Sequence, residues 1–172
     1  SASGQRGPKA LMTVHIAPAH LSDWSALLVL LRDSFAYMEG RIDPPSSLIG
    51  MTESDLESKA RSETLIVAYD AGKLVGCAFA DVRPHCVYVG KVAVASSARG
   101  RGIARQLIQV AESVAIRSGR PLLELQTRVE LHENHRTFAA LGFVKVAETA
   151  HKGYTRATSI TMQRTIDRAV GA

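Results

Sequence analysis

A turn rich in glycine and arginine occupies residues 99–105, near the middle of the sequence. It reads Arg-Gly-Arg-Gly-Ile-Ala-Arg, follows a run of β-forming residues and precedes a run with helical periodicity. The first turn of a helix exposes unpaired backbone N–H groups and the positive end of the helix dipole, so it can hold a phosphate group. Glycines let the backbone approach a ligand closely, and arginines match phosphate oxygens. The arrangement predicts a pyrophosphate site; a basic turn that merely begins a helix is the alternative.

Two other phosphate-binding motifs do not match this turn. A dinucleotide-binding fold needs Gly-x-Gly-x-x-Gly, but Arg105 stands where the third small residue should be. A P-loop needs Gly, four residues and then Gly-Lys-Ser/Thr, and the sequence contains no such string.

The elements around the turn follow the pattern of a mixed α/β (α+β) fold. Hydrophobic periodicity and turn residues predict the order β-α-α-β-β-β-α-β-α-β-β. A capping box of Thr52 and Asp55 is expected to begin the second helix, and Gly119 is expected as the left-handed cap residue that ends the third. After a first strand near residue 12, helices are expected at 23–38, 52–62, 103–115 and 132–141, and strands at 64–69, 74–81, 87–94, 122–127, 143–148 and 159–164. The turn then lies between the fourth strand and the third helix.

Length and composition indicate one domain with one hydrophobic core. The chain has 172 residues, and 46% of them are hydrophobic. We expect a flexible arm over residues 1–10, a single domain over 11–167 and a tail over 168–172. The longest aliphatic run, residues 26–31, is too short to span a bilayer. Both cysteines, Cys77 and Cys86, are expected as free thiols of a reducing compartment, which favours the cytoplasm.

The net charge of +5 favours an anionic partner. The basic residues form no long run, and aromatic residues do not alternate with them as a base-stacking surface would require. A phosphorylated cofactor is therefore a better match than nucleic acid. The sequence also predicts no membrane partner.

Two motifs make the sequence resemble the GNAT (GCN5-related N-acetyltransferase) superfamily. Residues 99–104 match the family signature Q/R-x-x-G-x-G/A, with Arg99, Gly102 and Ala104 at the defining positions. Residues 138–143, Phe-Ala-Ala-Leu-Gly-Phe, are similar to the family's helix that ends in Leu-Gly-Phe before the sixth strand. The resemblance covers residues 12–165 and implies a mostly antiparallel central sheet flanked by helices. It also implies a transfer of acetyl from acetyl-CoA to a primary amine of a small molecule or protein, by direct attack in a ternary complex, and a possible homodimer.

The resemblance further implies where acetyl-CoA binds. Backbone amides of residues 99–104 would hold the pyrophosphate, and the backbone of Val92 and Val94 would pair with the pantetheine arm like an added strand. The implied cofactor contacts are Val92, Ala93, Val94, Arg99, Gly100, Arg101, Gly102, Ile103, Ala104, Arg105, Asn134 and Phe138.

The catalytic acid differs from the family pattern. Alignment on Gly142 and Phe143 puts Phe138 where many members of the family have a tyrosine that acts as the general acid. The same alignment puts Leu131 where the family often has an asparagine that contacts the cofactor, and Asn134 lies one helical turn later. Phenylalanine cannot donate a proton, so Tyr154 is the predicted general acid, with a packing role as the alternative. The predicted base is Glu130, followed by Glu124, Glu133 or ordered water.

The remaining candidate residues concern metal and acceptor binding. His132 and His135 do not form a His-Glu-x-x-His motif and lack an evident third ligand, so no zinc is expected. By resemblance, Phe35, Tyr37, Met38 and the loop 41–50 would line the acceptor pocket, although Phe35 and Met38 could simply belong to the core face of the first helix. Besides the enzyme, the sequence leaves open a catalytically weak acyl-CoA-binding regulatory module, suggested by Phe138, and a basic nucleic-acid-binding domain.

Overall fold

The computed structural model describes residues 11–166, and its elements follow the predicted order. The predicted arm, the tail and the domain end at residue 167 lie outside the described residues. The strands are β1 Met12–Ile16, β2 Thr64–Asp70, β3 Lys73–Val82, β4 Val87–Val94, β5 Leu122–Arg128, β6 Val144–Thr149 and β7 Ser159–Thr165. The helices are α1 Trp24–Phe35, α2 Glu53–Ser62, α3 Ile103–Arg117 and α4 His132–Ala140. Across residues 11–166, none of the helices combines the length and the apolar character that a membrane crossing requires.

The strands form one mixed sheet in the order β1-β2-β3-β4-β5-β7-β6. Every neighbouring pair is antiparallel except β4 and β5, which run parallel. The predicted mostly antiparallel sheet is therefore confirmed. The parallel pair is short, because only Val87↔Leu123 and Tyr88↔Glu124 are in register before the two strands separate. This separation opens the sheet at the carboxyl ends of β4 and β5.

Alternating residues of the strands support two core clusters rather than the single core that we expected. Ile66 and Ala68 of β2 belong to the cluster that α3 covers, whereas Leu65 and Val67 belong to the cluster that α1 and α2 cover. Because successive side chains of a strand point to opposite faces, both faces of the sheet are apolar and both need helices. A third, small cluster contains Met38, Ile42 and Leu131 beyond the end of α1.

Several local predictions are confirmed, and the end of α1 is corrected. Thr52 and Asp55 form the expected capping box of α2, and Gly119 has the expected positive φ of +70° beyond α3. Cys77 and Cys86 are both free and buried. The first helix was expected to reach residue 38, but its α-helical part ends at Phe35 and is followed by one 3-10 turn over Ala36–Met38.

Candidate active site

A cleft of about 920 Å³ lies where β4 and β5 separate. Its walls come from the end of α1, residues 88–94 of β4, the start of α3, residues 125–127 of β5, and α4. The cleft therefore contains the turn at 99–105 together with side chains of α1 and α4. Its volume falls in the range of about 300–1,000 Å³ that is usual for small-molecule sites.

The start of α3 has the backbone that a phosphate site requires. Gly100 and Gly102 have φ values of +80° and +77°, and Gly102 is the N-cap residue of the helix. The first bond of the helical ladder is donated by the Gln106 amide to the Gly102 carbonyl at 3.1 Å, so the amides of residues 103–105 have no intrahelical partner. A Cβ atom built on either glycine would meet no heavy atom of residues 11–166 within 4 Å. The space beside these amides is open for an anion.

The three arginines of the turn have different environments. Arg99 and Arg105 line the cleft. Arg101 is not among the lining residues, because its guanidinium bonds to the Asp70 carboxylate at 2.6 Å. Only the backbone of Arg101 therefore remains a candidate for phosphate binding.

A β-bulge shapes the wall that β4 contributes. The pairing of β3 with β4 shifts between Cys77↔Ala93 and Phe79↔Gly90, so β4 carries an extra residue, and Lys91 adopts a φ of +49°. Val92 lies in the bulge, Ala93 and Val94 follow it, and all three residues line the cleft. The bulge redirects the backbone of β4 into the cleft, where its polar groups can face an extended ligand.

The predicted residues of α4 also line the cleft. The Asn134 side-chain oxygen accepts a hydrogen bond from the Tyr37 hydroxyl at 3.1 Å. Phe138 lines the same wall and packs edge-on against Phe143, with ring centroids 5.9 Å apart. Glu133, the residue before Asn134, bonds to Arg41 at 2.9 Å. Residues that follow α1 are thus connected to residues of α4 beside the cleft.

The predicted acid and base lie together, but neither is among the residues that line the cleft. The Tyr154 hydroxyl donates to an Asp43 carboxylate oxygen at 2.6 Å, and the Asp43 amide donates to Glu130 at 3.3 Å. Arg156 also contacts the Asp43 carboxylate, at 3.1 Å. The hydrogen bond to Asp43 raises the pKa of Tyr154, and the hydrogen bond from Tyr154 lowers the pKa of Asp43. The second oxygen of Glu130 is buried without a hydrogen-bond partner among the described residues.

The other two candidate bases, Glu124 and Glu133, and the two histidines of α4 each contact another side chain. Glu124 accepts a hydrogen bond from Gln163 at 2.8 Å, and Glu133 is paired with Arg41. His132 and His135 pack edge to face with ring centroids 5.4 Å apart. Within residues 11–166, no three side chains of His, Cys, Asp or Glu come together in an arrangement that could hold a metal ion.

The cleft also contains polar residues that the sequence did not predict, among them Ser34, Lys91 and Thr127. Ser34 donates to the Val94 carbonyl at 3.4 Å, and Thr127 has a buried hydroxyl without a partner among residues 11–166. Burial lowers the pKa of the Lys91 ammonium, and nearby Lys59 adds to this effect. No sequence pattern distinguishes these residues, because their exposure to the cleft depends on where β4 and β5 separate.

Comparisons with known proteins agree with this geometry. The model of the acetyltransferase (GNAT) family matches residues 24–143. A sequence comparison with curated proteins gives no significant match. Among solved structures, yncA from Salmonella typhimurium with its cofactor acetyl-CoA is 18% identical with a TM-score of 0.69, covering 91% of this chain and 94% of that one. The ribosomal-protein-S18-alanine N-acetyltransferase from Escherichia coli is 16% identical with a TM-score of 0.67, covering 92% and 96%. Nourseothricin acetyltransferase is 20% identical with a TM-score of 0.57, and there the match spans 62% of this chain and 66% of that one.

Proposed function

Because the chain belongs to the GNAT acetyltransferase family, we propose that it transfers acetyl from acetyl-CoA to a primary amine of a small molecule or protein, by direct attack in a ternary complex. The family match confirms the predicted enzyme class, an acyl-CoA-dependent N-acetyltransferase. The observation that carries the proposal is the cleft that joins the glycine turn of α3 to the bulged half of β4. The cytoplasm as its location and a homodimer as its assembly are proposals of the same kind.

The open backbone at the start of α3 supports the proposed binding of acetyl-CoA. The amides of residues 103–105 would hold the pyrophosphate, with Arg99 and Arg105 as charged donors at the rim. The backbone of Val92 and Val94 would bind the pantetheine arm, and Asn134 and Phe138 would contact it from α4. The thioester would then lie towards the end of the cleft that Tyr37 and Asn134 enclose.

The transfer forms a bond between the amine nitrogen and the acetyl carbon and breaks the bond between that carbon and sulfur. Backbone amides after the bulge of β4 would stabilise the negative charge on the carbonyl oxygen. The amine must lose a proton, and the thiolate must gain one. Glu130 remains the proposed base, supported by its unpartnered buried oxygen, with water as the carrier because Glu130 is outside the residues that line the cleft.

Two tyrosines are candidates for the acid that protonates the thiolate. Tyr154 is the acid that the sequence predicts, and its hydroxyl donates a hydrogen bond to Asp43. Tyr37 has its hydroxyl in the cleft, hydrogen-bonded to Asn134 one helical turn before Phe138. This position favours Tyr37, because a proton donor needs to come within about 3 Å of the atom that it protonates.

The alternative function, a catalytically weak module that binds acyl-CoA, is distinguished by turnover. We expect calorimetry to detect binding of acetyl-CoA and a thiol-release assay to detect free CoA when a panel of primary amines is added. Mass spectrometry should show the amine product gaining one acetyl group. Binding of acetyl-CoA without amine-dependent thiol release across the panel would support the module and exclude the enzyme.

A further inference from the structure

A second pocket, of about 600 Å³, adjoins the cleft at Phe35. Phe35 is the residue that lines both the pocket and the cleft. Apolar side chains form most of the pocket wall, from the turn after α1 and from the segment before α2: Met38, Ile42, Pro45, Leu48 and Ile49. The pocket thus opens next to the end of the cleft where transfer is proposed.

The charges of the pocket do not select a charged ligand. Arg32 and Glu39 contribute one positive and one negative side chain, and both residues are exposed. The Arg32 guanidinium already donates to the Met51 carbonyl at 3.0 Å. Opposite charges at an exposed rim largely cancel at a distance, so the apolar wall decides which group the pocket accepts.

The pocket wall is held in place by contacts that leave its apolar surface uncovered. Arg128, at the end of β5, donates to the Pro44 carbonyl at 2.6 Å. This bond holds the segment between the pocket residues Ile42 and Pro45 in place. Leu48 is 5% exposed and belongs to the core, whereas Ile49 next to it is 66% exposed. An anchored backbone that presents an exposed isoleucine is the arrangement of a preformed apolar subsite.

We infer that this pocket binds the apolar body of the acceptor, and that the acceptor is a primary amine attached to an alkyl or aryl group. The inference rests on the proposed transfer, because the amine of such a molecule would reach the cleft past Phe35. The same chemistry could be presented by a free amine or by a peptide whose first residue is large and apolar. An amine attached to a short polar group would leave the pocket wall exposed to water.

A series of linear amines tests this inference without changing the reactive nitrogen. We expect kcat/KM to rise by about threefold to fourfold for each methylene from ethylamine to hexylamine, in line with about 0.8 kcal/mol for each buried methylene. Replacing the last methyl of hexylamine by the hydroxyl of 5-aminopentan-1-ol should lower kcat/KM about tenfold or more, because a buried hydroxyl needs a hydrogen-bond partner. Peptides that begin with Phe or with Ser distinguish a peptide acceptor from a free amine.

A matched pair of variants assigns the effect to the pocket. Ile49→Ser removes apolar surface from the wall, and we expect it to lower kcat/KM for hexylamine about fivefold to tenfold. The decrease for ethylamine should be smaller, because the shorter chain buries less of the wall, and the KM for acetyl-CoA should not change. Val29→Ser is the control, because Val29 is 54% exposed on α1 and is not among the residues of either pocket. Both sites are exposed, so neither variant should fail to fold.

Binding measured separately from turnover keeps the two proposals apart. Calorimetry with CoA present should show hexylamine binding more tightly than 5-aminopentan-1-ol. If hexylamine binds in this way but is not acetylated, the proposed transfer fails and the pocket assignment stands. If both amines bind and react equally, or if Ile49→Ser and Val29→Ser have the same effect, the pocket assignment is wrong and the transfer is unaffected.

Discussion

Replacing Gly102 with valine tests the phosphate site most directly. Gly102 is the N-cap of α3, and a side chain there would project into open space beside the free amides of residues 103–105. A Cβ atom at this position would meet no described atom within 4 Å, and the valine would occupy volume that the proposed pyrophosphate site needs. We expect the protein to fold and to bind acetyl-CoA poorly.

The size of the effect follows from two separate costs. The positive φ of +77° strains any side chain at residue 102, which should reduce the free energy of unfolding by about 1–2 kcal/mol. Loss of one hydrogen bond between an amide and a charged phosphate should cost about 1.5–3 kcal/mol of binding free energy. The dissociation constant for acetyl-CoA should therefore rise roughly 10- to 150-fold.

Gly119→Val is the matched control for the backbone strain. Gly119 lies beyond the other end of α3, has a φ of +70°, and a Cβ atom there would also meet no described atom within 4 Å. Thermal unfolding should show similar losses for both variants, whereas calorimetry should show weakened binding only for Gly102→Val. The phosphate assignment is refuted if folded Gly102→Val binds acetyl-CoA as tightly as the unaltered protein, or if Gly119→Val loses as much affinity.

Two further predictions concern tyrosines. Tyr37→Phe should lower kcat at least about tenfold with little change in acetyl-CoA affinity, since it removes the hydroxyl that bonds to Asn134. If Tyr154→Phe instead lowers kcat about 100-fold and Tyr37→Phe leaves kcat unchanged, Tyr154 is the general acid. Burial, with the Asp23 carboxylate as a smaller cause, raises the pKa of Tyr69 to about 12. The contribution of the neutral Tyr69 phenol to the free energy of unfolding is therefore complete below about pH 10 and is lost as the pH rises towards 12. In urea titrations, the difference in the free energy of unfolding between the unaltered protein and Tyr69→Phe should shrink from pH 10 to 12. A difference that stays constant over this range would contradict the prediction.

The element order and the glycine turn could be predicted because their causes are local. Helical periodicity, the capping residues Thr52 and Asp55, and Gly119 act within a few residues of where they stand, and each appears in the structure as predicted. The end of α1 could not be placed in the same way. Residues 36–38 are compatible with a helix, but the chain there forms a 3-10 turn, and Met38 packs against Ile42 and Leu131 instead of continuing the helix.

The roles of side chains depended on contacts that are distant in sequence. Arg101 has the same local pattern as Arg99, yet Asp70 at the end of β2 binds its guanidinium. The sequence around Thr127 is that of an ordinary strand, and Thr127 borders the cleft because β4 and β5 separate beside it. The different roles of these residues follow from how the strands are arranged in the sheet.

The same reasoning explains why the acceptor could not be inferred from the sequence. The segment between α1 and α2 forms the adjoining pocket, and its conformation is fixed by partners about ninety to more than a hundred positions away. Arg41 bonds to Glu133 at the start of α4, and Asp43 is held by Tyr154 and Arg156 of the β6–β7 loop. A substitution in that loop can therefore reshape the pocket without touching an acceptor. Specificity for the amine should accordingly change more readily than binding of acetyl-CoA, because the phosphate site depends mainly on the backbone of one turn.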